Sequence, residues 1–295
     1  MVKRDSLKKK ERVKGWFMIS PYLIMTAIFW GIPFGWLIFL AFSRWNYFTS
    51  PRFVGLRNFT RALFHDQLFW QSLINTLNFM LYFIPIVLIS AILFALALQA
   101  VPRFKTFFAL SFLVANIASG VAYSIMFSKL FSEVGPINKL LYNLFGITIP
   151  WFSNPQLALF SISLMVAWKF IGYYGLIVFA GLQAIPRYLY EAAELDGARR
   201  WTKFFRITLP LLNPSMVMVI VMGISLAFGI FTEPFMITGG GPMHRTYTPM
   251  LLLYTTAFQK MRPGYAATMG ILVAFISFGC IWLTRKLIER DVTLV

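Results

Sequence analysis

Six long apolar runs divide this 295-residue sequence, and they constrain its fold more than any other feature. An α-helix rises about 1.5 Å per residue, so about 20 apolar residues are needed to cross the hydrocarbon core of a bilayer. Only 13% of the residues are charged, against about 25% in soluble domains. We therefore predict an all-α polytopic membrane protein with six transmembrane helices, at residues 16–42, 72–98, 106–128, 155–182, 210–232 and 265–284.

The distribution of basic residues predicts the orientation of these spans. The chain has 27 Lys and Arg residues but only 10 Asp and Glu residues, and nearly all the basic residues lie between the apolar runs. If the N-terminus is inside, the inner segments carry 17 of them and the outer segments carry nine. Because cytoplasmic loops are enriched in Lys and Arg, we place both termini in the cytoplasm. The net charge of +17 then reflects membrane topology, and nucleic-acid binding is not expected.

The chain is expected to form a single membrane domain. Residues 1–14 make a basic cytoplasmic segment, and residues 15–295 make the six-helix domain with a cytoplasmic loop at 183–209. The first apolar run is interpreted as an uncleaved span, since no convincing small-residue cleavage site follows it.

Residues able to carry covalent or metal chemistry are few. Cys280 is the only cysteine and lies within an apolar run, so an internal disulfide or a cysteine metal site is impossible. His65 and His244 are far apart in the sequence. We expect no metal site and no catalytic residue in this chain.

A charged island at residues 191–210 interrupts the apolar pattern before the fifth run. Pro186 breaks the fourth helix, and residues 187–195 are predicted to form a short helix on the cytoplasmic surface. Within it, Ala192 and Ala193 have small side chains that allow the backbone of a partner to come close. A loop of this kind in a membrane protein is suited to contact a soluble partner.

The second half of the island contains a turn and an amphipathic segment. Gly197 suits a helix end with positive φ, which other residues adopt at a cost. Aromatic and basic residues then alternate from Ala198 onward, as in helices at the headgroup boundary. Pro210 is predicted in the first turn of the fifth span, where its missing N–H costs nothing.

The island resembles the cytoplasmic signature of permease subunits of bacterial binding-protein-dependent ABC importers. That signature is Glu-Ala-Ala, three residues, Gly, nine residues, then Ile-x-Leu-Pro. The segments at 53–59 and 237–258 resemble the carbohydrate-uptake branch, in particular the first permease subunit of maltose-type and glycerol-phosphate-type systems. The docking loop implied by the resemblance comprises Glu191, Ala192, Ala193, Asp196, Gly197, Ile207, Leu209 and Pro210.

The resemblance implies the type I ABC importer permease fold and a set of partners. They are a second related permease, two ATP-binding subunits that carry ATP and Mg²⁺, and an extracytoplasmic solute-binding protein, in the bacterial inner membrane. The chain itself would not be an enzyme and would hold no cofactor. Consistently, no GxxxxGK[ST] phosphate loop occurs, since the glycines at 239–241 are followed by Pro242. The GGGP stretch itself suits either a tight turn or contact with the binding protein.

Lys169 is the clearest polar feature within a predicted span. A lysine near the bilayer middle is costly, so it faces either a water-filled translocation pathway or a neighbouring helix. The substrate implied is a sugar or oligosaccharide, and a uronide or sugar phosphate would suit the lysine. The candidate pathway residues in the fourth and fifth runs are Trp168, Lys169, Tyr173, Tyr174, Gly223, Ser225, Ala227 and Ile230.

Two other function classes compete with this interpretation. An ion-coupled secondary transporter would show repeat symmetry or acidic residues within its spans, and neither is apparent. A membrane-embedded enzyme would show a cluster of His, Asp, Glu or Cys near one interface. The secondary transporter is kept as the alternative.

Overall fold

The computed structural model describes residues 2–101 and 103–289, with side chains described from Lys14 onward. Arg290 and the predicted cytoplasmic C-terminus lie outside the described residues. Backbone contacts divide the chain into two compact units, which are described separately: Met1–His65 with Leu253–Ile271, and Asp66–Leu252 with Leu272–Val295.

The first unit begins with a long apolar helix and a short connection. A π-helical turn at Ala27–Gly31 joins its two parts immediately before Pro33, where the helical hydrogen-bond pattern must change because proline has no N–H. The elements are α1 (Val2–Thr26), α2 (Ile32–Ala41), β1 (Ser43–Arg44), β2 (Arg52–Phe53) and α3 (Arg57–Phe64).

A small polar framework fixes the connection after α2. Strands β1 and β2 pair antiparallel, with Ser43 opposite Phe53. Asn58 Nδ2 donates to the carbonyl oxygens of Ala41 at 3.1 Å and Ser43 at 2.9 Å. Thr268 Oγ1 also donates to the Ala41 carbonyl, at 2.7 Å. The end of the first apolar helix is therefore held by side chains distant in sequence.

The second unit contains most of the remaining helices. Two further π-helical turns lie at Phe204–Thr208 and Pro234–Thr238, and a third, at Thr255–Gln259, falls in the first unit. The helices, in chain order, are α4 (Gln67–Ala100), α5 (Lys105–Ile117), α6 (Gly120–Leu130), α7 (Pro136–Phe145), α8 (Ala158–Gln183), α9 (Arg187–Leu195), α10 (Arg200–Lys203), α11 (Leu209–Leu211), α12 (Asn213–Gly229), α13 (Pro249–Tyr254) and α14 (Pro263–Ile288).

Helices α4 and α8 form the centre of the second unit. Every fourth residue of α4 from Phe79 to Ala95 is buried, which places one apolar stripe along the helix. The facing helix α8 supplies small residues: a Cβ at Gly175 would overlap the Phe94 ring, and one at Gly172 would lie 2.5 Å from the Phe112 carbonyl oxygen. Small residues allow helices to approach closely, as is common between transmembrane helices.

The prediction of six spans is confirmed if each bent helix pair counts as one span. Within the described residues, four continuous helices are long and apolar enough to cross a membrane: Lys14–Ala41, Gln67–Ala100, Ala158–Gln183 and Pro263–Ile288. The third and fifth predicted spans are broken by bends of 92° and 60°. The 92° bend follows from extended backbone at Ala118 and Ser119, between α5 and α6.

The predicted position of Pro210 was wrong. The helix that contains it already begins at Arg200 and continues to Leu211, before the 60° bend, so Pro210 does not lie in the first turn of the fifth span. The π-helical turn just before it changes the hydrogen-bond register, so the missing N–H of proline is accommodated. Pro214, in the first turn of α12, has the role expected of Pro210.

Candidate functional site

Helix α9 occupies the segment where the sequence predicts a short helix, and it exposes one continuous stripe. Six of its nine residues are exposed, and four of these follow the i, i+3, i+4, i+7 spacing of one helix face, flanked by Arg187 and Glu194. The opposite side packs on the core through Leu189 and Tyr190. Leu195 is 90% exposed and Tyr188 is 56% exposed, so the stripe is largely apolar with one carboxylate near its centre. The exposed stripe consists of Tyr188, Glu191, Ala192 and Leu195.

The stripe corrects one detail of the sequence interpretation. Ala192 faces outward and can receive a partner backbone, but Ala193 is half-buried beside the following segment. Adjacent helix positions differ by 100° in direction, so two neighbouring alanines cannot both face one partner squarely.

Gly197 ends α9 as the sequence predicts. Its φ is +73°, in the left-handed region. Its N–H donates to the Glu194 carbonyl at 3.0 Å, and the Ala198 N–H donates to the Ala193 carbonyl at 2.9 Å. These two bonds form a Schellman motif, which pairs the last carbonyls of a helix and fixes the direction in which the chain leaves it.

Two side-chain contacts fasten α9 to the segment that follows. Lys203 Nζ donates to a Glu194 carboxylate oxygen in an ion pair. The Tyr190 hydroxyl and Thr208 Oγ1 lie 2.9 Å apart, with Thr208 buried. The hydrogen bond from Lys203 and its charge lower the pKa of the Glu194 carboxyl. The loop therefore has a defined shape in the isolated chain.

The rest of the predicted docking loop lies around a small hollow. The hollow measures about 540 Å³ and includes Ala193, Asp196, Gly197 and Ile207 in its lining. Leu209 is half-buried and Pro210 is exposed. The structure therefore places four of the signature-loop residues at this hollow, while Glu191 and Ala192 lie on the exposed stripe of α9.

Lys169 is buried within α8. It lies eleven positions after Ala158, the first residue of α8, which is about 17 Å along the helix. Lys169 is only 8% exposed. Its Nζ lies 5.0 Å from the centroid of the Tyr123 ring and 6.0 Å from the centroid of the Phe170 ring. Among the described residues it forms no ion pair within 4 Å.

Two further polar groups lie near Lys169. Glu233, 7% exposed, follows the fifth span and interacts electrostatically with Lys169 and with Tyr123. The buried Tyr123 hydroxyl has no hydrogen-bond partner among the described residues. Burying a polar group without a partner costs about 1–3 kcal/mol. The group of Lys169, Tyr123 and Glu233 is called the buried polar cluster below.

The other predicted pathway residues fall into two groups. Trp168 and Ser225 are exposed on the unit surface, and Tyr173 is half-buried. The remaining residues belong to the packed interior: Tyr174 stacks on Phe170, and Gly223 contacts Phe83 and Ile84. The interior group consists of Tyr174, Gly223, Ala227 and Ile230.

Sequence reasoning missed Tyr123 and the role of Asn75. Tyr123 lies in the third span, and only the bend at residues 118–119 marks that region as unusual. Asn75 Nδ2 donates to the carbonyl oxygens of His244 at 2.7 Å and Tyr247 at 3.0 Å, which fixes the GGGP loop. Gly239 and Gly240 in that loop have positive φ, so the tight-turn interpretation is confirmed.

The described residues include no group of three His, Cys, Asp or Glu side chains close enough to hold a metal ion. The features that remain are apolar spans, an exposed short helix in a polar loop and a buried polar cluster. They define the chain as a polytopic membrane protein.

The chain belongs to the family described as binding-protein-dependent transport system inner membrane component, whose model matches residues 62–292. Members of this family are permease subunits, which transport a solute and are not enzymes. The family membership also decides against the ion-coupled alternative.

Individual relatives are similar over nearly their whole length. A probable ABC transporter permease protein, YesP of Bacillus subtilis (strain 168), is 36% identical over 92% of this chain and 91% of its own. The lactose transport system permease protein LacF of Rhizobium radiobacter is 31% identical over 96% of this chain and 98% of its own. A solved bacterial ABC transporter involved in alginate import has the same fold, with a TM-score of 0.82, 21% identity and coverage of 98% of this chain and 100% of its own.

Proposed function

We propose that this chain is one of two related permease subunits in a sugar or oligosaccharide importer of the bacterial inner membrane. Two ATP-binding subunits would dock on the loop that contains α9, and a sugar-loaded solute-binding protein would dock on the opposite side. ATP and Mg²⁺ would be bound by the partner subunits. The lactose permease relative, 31% identical, supports a sugar as the solute.

The exposed stripe of α9 carries this proposal. It combines two large apolar side chains, a small residue and one carboxylate on a single face of a helix outside the long apolar spans. Amphipathic helices that bind in a groove present this pattern of i, i+3, i+4 and i+7 anchors. The ion pair and hydrogen bond that fasten α9 would transmit its movement to the rest of the chain.

In the proposed mechanism, the chain forms and breaks no covalent bond. Closure of the ATPase dimer would pull α9, and the movement would pass to the spans on either side of it. Alternating inward and outward exposure of the pathway would follow. The orientation with both termini in the cytoplasm, supported by the basic residues, places α9 on the ATP side.

Charge reversal at Glu191 tests the docking face. Glu191→Lys should leave membrane insertion intact but reduce sugar uptake relative to ATP hydrolysis in the reconstituted complex. Glu289→Lys makes the same charge change outside the loop and is the matched control. Normal coupling in Glu191→Lys, or equal loss in both variants, would contradict the docking role.

We also propose that the buried polar cluster faces the solute pathway. Three buried polar groups from separate segments lie together, and the Tyr123 hydroxyl has no partner among the described residues. A solute hydroxyl or carboxylate would supply the missing hydrogen bonds. Lys169 favours an anionic sugar, and Tyr173 beside it offers an aromatic face to a sugar ring.

Removing the Lys169 charge tests this assignment. In cells that express the complete importer, Lys169→Met should reduce the uptake of radiolabelled digalacturonate more than the uptake of lactose. Lys129→Met removes a charge at the end of α6 and serves as the control. Unchanged uptake of whichever sugar the importer carries would show that Lys169 only contacts a neighbouring helix.

A further inference from the structure

The first compact unit contains a large basic cavity that the proposed coupling does not use. It measures about 1200 Å³ and lies among the β1–β2 ribbon, α3 and the start of α14. Among the residues that the structure describes, none in its lining carries a carboxylate. The basic side chains that line it are Arg44, Arg52, Arg57, Arg61, Lys260 and Arg262, with His65 beside them.

The cavity is displayed on a fixed framework. Asn58, itself in the lining, holds the ribbon through the Ala41 and Ser43 carbonyls. The Arg61 guanidinium lies 5.0 Å from the centroid of the Tyr265 ring. These contacts fix the ribbon and Arg61, so the backbone itself helps to bring the basic side chains to one cavity.

This concentration of charge runs against the distribution elsewhere in the chain. On the predicted topology these residues lie outside, and they are six of only nine basic residues there. Like charges that share one cavity repel each other and raise the local concentration of anions. An anionic occupant would remove that repulsion.

The surroundings of the cavity favour a lipid as the occupant. The adjoining apolar helix, Lys14–Ala41, is only 6% buried over its most apolar window. Aromatic rings gather at the same end: Trp36 and Trp45 lie 6.3 Å apart, and Trp45 and Tyr47 lie 5.0 Å apart. Aromatic side chains concentrate at the level of the lipid headgroups. Trp45 also lines the cavity, so the cavity opens at that level.

We propose that this cavity binds the phosphodiester headgroup of an anionic phospholipid, phosphatidylglycerol or cardiolipin. Arginine side chains form paired hydrogen bonds with phosphate oxygens. The volume is sufficient for the two phosphates of cardiolipin. The bound lipid would stabilise the end of the first span against α3 and α14.

The test measures lipid binding to the purified complete importer after delipidation in mild detergent. Fluorescent cardiolipin, phosphatidylglycerol and phosphatidylcholine are titrated separately, and inorganic phosphate is added as a competitor. The variant Arg52→Gln/Arg57→Gln/Arg262→Gln should bind cardiolipin about 100-fold more weakly, at about a fivefold factor per basic residue. The control Arg103→Gln/Lys105→Gln/Lys286→Gln removes the same charge elsewhere and should bind as the wild type does.

A lysine-substituted variant separates loss of charge from loss of fold. Arg52→Lys/Arg57→Lys/Arg262→Lys keeps the charge and should retain most of the affinity. Equal affinity of the glutamine variant and its control would overturn the proposal, as would equally tight binding of phosphatidylcholine or displacement of the lipid by millimolar inorganic phosphate. If the glutamine variant bound lipid as the wild type does but lost sugar uptake, the proposal would also fail, and the cavity would instead be a binding site for an acidic protein surface.

Discussion

Replacing Gly197 tests whether the rigid end of α9 is needed for coupling. The residue has φ +73° and closes the Schellman motif that fixes the exit of the chain from the helix. No atom of the described part of the chain lies within 4 Å of the position that a Cβ would occupy. A substitution therefore creates strain through backbone conformation and not through a steric clash with neighbours.

The magnitude follows from the left-handed conformation. A residue with a Cβ costs about 1–2 kcal/mol there, and a β-branched residue costs more. A change of that size alters a two-state population by about 5-fold to 30-fold. In Gly197→Val the helix end should therefore relax to another conformation, and the link to the following segment should loosen. Gly197→Asn should be milder, because asparagine tolerates this conformation.

The assay compares sugar transported with ATP hydrolysed by the reconstituted importer. We expect Gly197→Val to lower that ratio several-fold and Gly197→Asn to retain most of it. Gly146 is a matched control: it ends α7 with φ +69°, and no described residue has an atom within 4 Å of its Cβ position. Gly146→Val introduces comparable strain far from α9. Wild-type coupling in Gly197→Val, or the same loss in Gly146→Val, would refute the reasoning.

Two further predictions concern contacts within the second unit. Lys203 lowers the pKa of the Glu194 carboxyl from 4.5, so their pair should stabilise the loop above about pH 4.5 and lose its effect as the pH falls through the lowered pKa. Amide exchange in α9, corrected for intrinsic rates, should show this loss in the wild type but not in Glu194→Gln. Asn75→Ala leaves two loop carbonyls unpaired, at a cost of about 1–3 kcal/mol each, so proteolysis in the 238–248 loop should accelerate. Asn78→Ala, one turn further along α4, should not have this effect.

The positions of the spans could be predicted because hydrophobic length is a property of sequence alone. The bends could not be predicted in the same way. The third span breaks at Ala118 and Ser119, where no proline or charge interrupts the apolar run. The bend rests on the extended backbone of these two residues, which hydrophobic periodicity does not record.

Local sequence signals in the charged island predicted its helix and its turn correctly. They did not predict where the helix of the next segment begins. Pro186 and Gly197 act within a few residues of themselves, so helix α9 has the predicted bounds. Pro210 was misplaced because a π-helical turn lets the preceding helix continue past the expected boundary. Such turns have no sequence signature as clear as a cap or a proline.

The surroundings of Lys169 depend on contacts between distant segments. Tyr123 precedes it by 46 residues and Glu233 follows it by 64. The sequence indicates that a buried lysine requires a polar environment, but it does not identify the groups that provide it. The same limitation applies to Asn75, whose partners His244 and Tyr247 lie far along the chain.

The position of α9 between two spans explains how one short helix could act on the whole pathway. Three residues separate it from α8, which carries Lys169, and the segment Arg200–Leu211 connects it to α12, which carries Gly223 and Ser225. The ion pair and hydrogen bond join α9 to that connecting segment, but the 60° bend lies beyond them. A pull on α9 would therefore move the connecting segment with it and reach α12 at the bend. Because α8 and α12 are linked to the same short helix, displacement of one docking face would reach both spans that carry the proposed pathway residues.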